Sequence, residues 1–354
     1  MGYHALKKKA FLTTAAVTGI TILFPALCMA ASEKDIQTYT DTDFAMDTVV
    51  SETLYTTGDD INSKLTSVLT DVETNLLSWT NEKSQIYKVN ADSGKDTEIS
   101  EELSGYLERL LKIAKDSDGA FDPTIGKLIR LWDIGGENQR IPGEDEIQEV
   151  LKDSGYQKIS LDGNTIHMDE GCSLDLGAAG KGIGCDLILE NLKNQKDVTA
   201  ALMNLGGSSV MTYGSKPDGS SWNVAVTDPR AENDDDYLGV VALNGTEFLS
   251  TSGDYEKYFI EDGVRYHHIM DPSTGYPAKS GVTGVTVVCD TGLEADALST
   301  ACFVLGVEKG AQLLKTYGAD GLFVDEDHHV YLTEGMKERF SLLADSYSVE
   351  DIIE

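Results

Sequence analysis

The chain has 354 residues, 41% of them hydrophobic, with 28 basic against 60 acidic side chains and a formal net charge of −32. A charge of that sign and size excludes nucleic acid and anionic lipid surfaces as partners held by general attraction. An anionic ligand needs a local device instead: a metal ion, backbone amides or one well-placed lysine.

The first segment is unlike the rest. Lys7, Lys8 and Lys9 precede an apolar run from Ala10 to Leu27, and small residues follow at Ala30 and Ala31. That is the layout of an export signal. The run is also near the length that spans a bilayer, and Leu27 stands before Cys28 where a lipoprotein signal uses a small residue. A cleaved signal, a lipid anchor at Cys28 and an uncleaved anchor therefore all stay open. Each places the remainder outside the cytoplasm, free or attached to the cytoplasmic membrane. The chain divides into residues 1–31, the signal or anchor, and 32–354, one domain with room for two lobes. Four cysteines remain, Cys172, Cys185, Cys289 and Cys302, with no C-x-x-C pair. They read as small buried side chains, although an exported protein also allows a disulfide.

A spacer from Ser32 to Thr42 leads into an alternating strand, Phe44 to Leu54. Helical spacing of Leu65, Leu69, Val72, Leu76 and Trp79 predicts a helix from Ile61 to Trp79, and a second runs from Glu101 to Asp116. The turn-rich loop Gly119-Ala-Phe-Asp-Pro-Thr-Ile-Gly126 opens a short helix towards Trp132. Another covers Asp145 to Ser154, and a hairpin spans Lys158 to Met168, closed at Asp162-Gly163. Asp175 to Gly182 opens a helix reaching about Leu192. Strands then dominate, at 201–205, 210–213, 222–227, 239–243 and 248–252, with a hairpin at 258–269 and an alternating central strand at 281–289. Helices close the series at 294–305 and 310–317. Strands and helices do not alternate strictly, which favours an α+β fold with mixed or antiparallel sheets and packed helices over a doubly wound sheet.

Four segments could carry chemistry. Glycines 177, 180, 182 and 184 around Lys181 let backbone amides and a helix N-terminus approach an anion, though a tight turn with a solvated lysine fits as well. Asp296 and Thr300 lie four apart on one helix face, a carboxylate and a hydroxyl suited to Mg²⁺, or simply an N-terminal acid beside a self-bonded threonine. His267-His268 precede an Asp-Pro turn, where a histidine can serve as base or donor, or merely pack. Ala120-Phe121-Asp122 offers a ring and a carboxylate to a nucleotide, but Phe121 equally suits a core.

Taken in order, Met46-Asp-Thr48, Gly119 to Gly126, Asp175 to Gly182, Asn204-Leu-Gly-Gly207, His268-Ile-Met-Asp-Pro-Ser-Thr-Gly275 and Ala295 to Ala301 resemble the FAD:protein FMN transferase family, the ApbE-like flavin transferases. The likeness runs from about Phe44 to Leu305. It implies a T-fold-like architecture and an exported, Mg²⁺-dependent transferase moving FMN from FAD onto a serine or threonine of an acceptor protein. By the same resemblance, Met46, Trp79, Ala120, Phe121, Asp122, Asp175, Lys181, His268 and Ile269 match FAD-binding positions. Ala178 (through its carbonyl), Asp296 and Thr300 match the metal ligands, and His268 with Lys181 the catalytic pair. Trp79 stands where the family often has tyrosine, and Asp47 where it commonly has glycine. The acceptor motif of the family, an Asp before a Ser/Thr-Gly-Ala-Ser/Thr core, is absent from this chain, so the expected acceptor is another protein, exported or membrane-linked and engaged in electron transfer. FAD hydrolysis to FMN and AMP, or flavin binding without catalysis, are the competing readings.

Overall fold

A computed structural model describes residues 35–352 apart from 232, 234 and 235, so the expected signal or anchor segment lies outside the described residues. Strands β1 (Gln37–Ala45) and β2 (Thr48–Thr56) form a tight hairpin. This corrects the expectation of a spacer followed by one strand. The chain reverses at Met46-Asp47, both at positive φ (52° and 58°), the geometry of a two-residue hairpin turn. No glycine marks the turn, so the alternation of Phe44 to Leu54 reads through it. Glu73 secures it, its Oε2 accepting from the Met46 N–H at 3.0 Å.

The frame is a nine-stranded sheet in the order β1, β2, β6 (Val198–Leu205), β7 (Ser209–Tyr213), β10 (Phe248–Gly253), β15 (Val282–Cys289), β16 (Asp320–Asp325), β17 (His329–Leu332) and β19 (Ser348–Glu350). Every pairing is antiparallel except β17 with β19. Smaller sheets join β3 (Asp96–Glu98), β5 (Thr165–Met168) and β4 (Ile159–Asp162), and β18 (Phe340–Leu342), β9 (Tyr237–Leu243) and β8 (Trp222–Thr227). Two short hairpins are β11 (Tyr258–Glu261) with β12 (Val264–His267), and β13 (Met270–Asp271) with β14 (Tyr276–Pro277). The mixture of mainly antiparallel sheets with helices is the expected α+β class.

Helices cover one face of the large sheet: α1 (Asn62–Val72), α3 (Glu101–Asp116), α6 (Gly177–Lys193), α7 (Gly292–Leu305) and α8 (Val307–Tyr317). Their apolar sides and the inward residues of β2, β6, β7, β10 and β15 make the main core. The β8–β9–β18 sheet and α9 (Glu334–Arg339) cover the other face around Trp222, Leu243, Leu322 and Met336. Strand β15 is therefore buried at all eight positions. Val285 and Val287 face the helices, while Val288 faces the second sheet. The expected alternation gives way because neither face meets solvent. A third cluster seats α4 (Gly126–Trp132) and α5 (Glu144–Leu151) on Met270.

Helix α1 stops at Val72, and a π-helical turn, Glu73–Leu77, follows. Trp79, expected to end the helix, thus lies beyond it and is 44% exposed. The sequence reading missed α2 (Gln85–Ala91) and everything after Tyr317. The four cysteines are buried and free. No helix among the described residues is long and apolar enough to cross a membrane.

Candidate active site

The site is built where α6 crosses α7. A Cβ on Gly182 would overlap the Gly292 carbonyl, and one on Gly292 would overlap Gly182. Only glycine on both helices allows this approach. Asp186, one turn further along α6, locks the crossing, accepting from the N–H groups of Gly292 at 2.7 Å and Leu293 at 3.1 Å. Asp296, the next turn of α7, is thereby pressed against the first turns of α6.

Asp296 is buried, and every partner of its carboxylate is neutral. Oδ2 accepts from the Gly182 N–H at 2.6 Å, and Oδ1 from the hydroxyls of Ser209 and Ser250 at 2.7 Å each. Ser209 and Ser250 face each other across β7 and β10, so the sheet register brings both to one oxygen. Burial pushes the Asp296 carboxyl above its ordinary range, opposed first by the charge of Lys181. Within an α-helix the Gly182 N–H points at the carbonyl of Ala178; its donation to Asp296 draws that carbonyl and the carboxylate to one place. Thr300 lies one turn beyond Asp296, with only a long 3.4 Å contact to Ser252. A carboxylate, a carbonyl and a hydroxyl form a hard-oxygen donor set that could hold a divalent cation.

Lys181 Nζ donates to Ser208 Oγ. Burial raises the carboxyl of Glu256 as it does that of Asp296, and the positive charge of Lys181 opposes both and also acts on His268. Lysine, buried acid and histidine thus share one electrostatic neighbourhood.

The adjacent histidines part company. His267 is buried, with Nε2 3.1 Å from the Ala278 carbonyl and Nδ1 3.3 Å from the Ile269 N–H. A carbonyl only accepts and an N–H only donates, so the proton sits on Nε2 and both nitrogens are used. His268 Nδ1 meets the Lys257 carbonyl at 3.3 Å. By the same logic it carries the proton there and leaves the Nε2 lone pair free. Burial pushes the His268 imidazole down to about 4, aided by His267 and Lys257.

Met46 lies over Gly180 and Gly184 of α6. Asp175 Oδ1 accepts from the Gly177 N–H at 2.8 Å, just ahead of that helix. Trp79 stacks on Arg130, whose guanidinium lies 4.9 Å from the ring; Arg130 in turn acts on Asp175. In the loop of Ala120, Phe121 and Asp122, Phe121 is buried in the main core. Both Asp122 oxygens are taken, Oδ1 by the Thr124 N–H and hydroxyl and Oδ2 by the Tyr156 N–H. That carboxylate staples the loop. Ala120 is buried beside it, and Ile269 is buried with its N–H on His267 and its carbonyl accepting from Ala278. Sequence reasoning missed Glu73, Asp186, Ser209, Ser250 and Glu256. Of these, only Ser250 left a signal, its alternation with Ser252 on one face of β10.

The class of protein is thus α+β, with a buried acid held against a glycine-lined helix turn where two helices cross. The ApbE family model matches residues 46–323. A protein of Treponema pallidum (strain Nichols) named FAD:protein FMN transferase is 35% identical over 292 residues, 78% of this chain and 80% of that protein. One of Klebsiella pneumoniae (strain 342) with the same name is 34% identical over 284 residues, 78% and 86% of the two chains. The crystal structure of the ApbE protein from Thermotoga maritima superposes with a TM-score of 0.78 at 34% identity, covering 86% of this chain and 99% of that one. The apo Pseudomonas stutzeri flavinyl transferase ApbE gives 0.76 at 29% identity, covering 89% and 100%. The chain belongs to the ApbE family.

Proposed function

We propose that the protein is an exported FAD:protein FMN transferase that moves FMN from FAD to a serine or threonine hydroxyl of another protein. The observation that carries this reading is Asp296, a buried acid whose hydrogen-bond partners are all neutral, held against the Ala178–Gly182 turn beside Lys181. Simple flavin storage needs no such acid at a diphosphate.

In the reaction, the acceptor hydroxyl oxygen attacks the phosphorus nearest riboflavin. A new P–O bond forms, the P–O bond to the AMP moiety breaks, and AMP leaves with the electron pair. Nε2 of His268 takes the hydroxyl proton, which its tautomer and its neutral state at pH 7 permit. Lys181 balances the negative charge gathering on the leaving phosphate. Met46 and the α6 glycines shape the floor, Trp79 on Arg130 gives an aromatic wall, and Asp175 lines the entry to α6. Asp296, Thr300 and the Ala178 carbonyl would hold Mg²⁺, which when bound supplies charge neutralisation at the diphosphate. Residues 1–31 direct the enzyme out of the cytoplasm and place it among exported or membrane electron-transfer proteins.

The test is incubation with FAD, Mg²⁺ and a candidate acceptor. Covalently yellow acceptor is the expected product; free FMN alone would mean hydrolysis, and intact FAD would mean a binding protein. Asp296→Ala should lose Mg²⁺ affinity and transfer together. Unchanged metal affinity in that variant removes Asp296 from the site.

A further inference from the structure

Resting on that transferase reading, we propose that Ser252 is a positioning residue for the cation: by accepting the proton of the Thr300 hydroxyl, it leaves both lone pairs of Thr300 Oγ1 free for Mg²⁺. Ser252 belongs to a line of hydroxyls between β10 and α7. Ser250 and Ser252 stand two apart on β10, so both turn to one side of the strand. There they meet Asp296, Ser299 and Thr300 of α7. Ser250 and Ser299 are buried, so the protein itself settles where their protons go.

The sense of the line follows from counting protons, one to each hydroxyl. The main-chain carbonyl of Asp296 can only accept, so Ser299 Oγ donates to it at 2.9 Å. That spends the Ser299 proton. Ser252 Oγ lies 2.8 Å from Ser299 Oγ and must be the donor there, which spends its own. Across the 3.4 Å between Ser252 and Thr300, only the Thr300 proton is left to give. Ser250 obeys the same count. Its proton goes to Asp296 Oδ1 at 2.7 Å, so neither it nor Ser299 has one for the other, and their oxygens stand 3.4 Å apart. Asp296 thus acts twice, through a carboxylate for the cation and through a main-chain carbonyl that sets the direction of the hydroxyls. A cation on Thr300 Oγ1 would polarise that hydroxyl and strengthen its donation to Ser252. Metal and serine then act on one oxygen from two sides.

Calorimetric titration of the purified protein with Mg²⁺ tests this. Ser252→Ala should bind the ion about tenfold more weakly, while Ser252→Thr, which keeps the hydroxyl, should bind as the wild type does. The decisive arm is a double-mutant cycle with Thr300→Val, a hydroxyl deletion of nearly equal shape. Because Ser252 acts through Thr300, adding Ser252→Ala to Thr300→Val should cost no further affinity; a merely structural effect would add. No Mg²⁺ binding by the wild type, unchanged affinity in Ser252→Ala, equal losses in the Ala and Thr variants, or additive losses in the double variant each overturn the proposal. Thermal melts without Mg²⁺ check that every variant is folded. FMN transfer on the same samples separates the two readings. A protein that shows the cycle but labels no acceptor sinks the transferase reading and leaves the role of Ser252 standing. Normal labelling by Ser252→Ala at unchanged Mg²⁺ affinity does the reverse.

Discussion

At the residue scale, the two histidines show how little composition says about role. Neighbours of one residue type differ because His267 spends both nitrogens on backbone groups while His268 keeps Nε2 free. His268→Ala should cut FMN transfer by roughly 10²–10⁴-fold with FAD affinity retained, measured by acceptor labelling. In the wild type the pH profile of kcat/KM should stay flat below neutrality and fall only as the medium approaches the imidazole's depressed value near 4. A fall beginning at 6.5 would remove His268 as the base. Glu52 offers a stability test away from the site. It is 2% exposed on β2, with Oε2 lacking a protein partner and only acids, Asp41, Asp43 and Asp60, acting on it through charge. Burial raises it from 4.5 to about 7. The folded state therefore holds this proton more tightly than the unfolded chain. The stability it confers is full below pH 4.5 and is lost as pH rises through 7. Glu52→Gln should raise stability at pH 8 by about 2 kcal/mol and change little at pH 4.5, as read by urea denaturation.

At the element scale, the crossing of α6 and α7 makes the site. Gly182→Ala forces a Cβ into the Gly292 carbonyl and should destabilise the fold by about 1–3 kcal/mol, visible as a lowered Tm. It should also weaken Mg²⁺ binding, because Asp296 moves with α7; a variant that lowers Tm yet binds Mg²⁺ normally would show the crossing to be structural alone. Elements were legible wherever one face met solvent. The helix from Glu101 to Asp116 matches its expected bounds, capped by Ser100 accepting from the Leu103 N–H. The reading failed where local signals conflict with tertiary partners. The Met46-Asp47 turn lacks glycine and depends on Glu73, and Leu76 continues helical spacing through a π-turn that carries Trp79 off the helix. The strands after Tyr317 are short and gain their meaning from β15 and β9.

For the whole molecule, the excess of acid means that no general field draws an anionic ligand to a surface of net charge −32. Mg²⁺ should raise the Tm of the wild type and leave that of Asp296→Ala unchanged, by simple linkage; equal shifts in both would place the bound metal elsewhere. If residues 1–31 are a cleaved export signal, intact mass of protein recovered from outside the cytoplasm should match a chain beginning near Ser32. An added lipid mass at Cys28 or the full-length mass identifies an anchor instead.

By itself, the sequence determined the class of the fold, the family, and the residue types at Asp296, Thr300, Lys181 and His268. Periodicity and ordered short motifs are local properties of a chain and survive without knowledge of what packs on what. Only the tertiary structure decided that Ser209 and Ser250 converge on one oxygen of Asp296, that Asp122 closes its own loop, that Phe121 is core, and that Phe44 and Val49 stand exposed at a hairpin tip. Those facts depend on strand register and helix crossing, which bring together groups as distant in the chain as Gly182 and Asp296, 114 residues apart, and no window of sequence contains them.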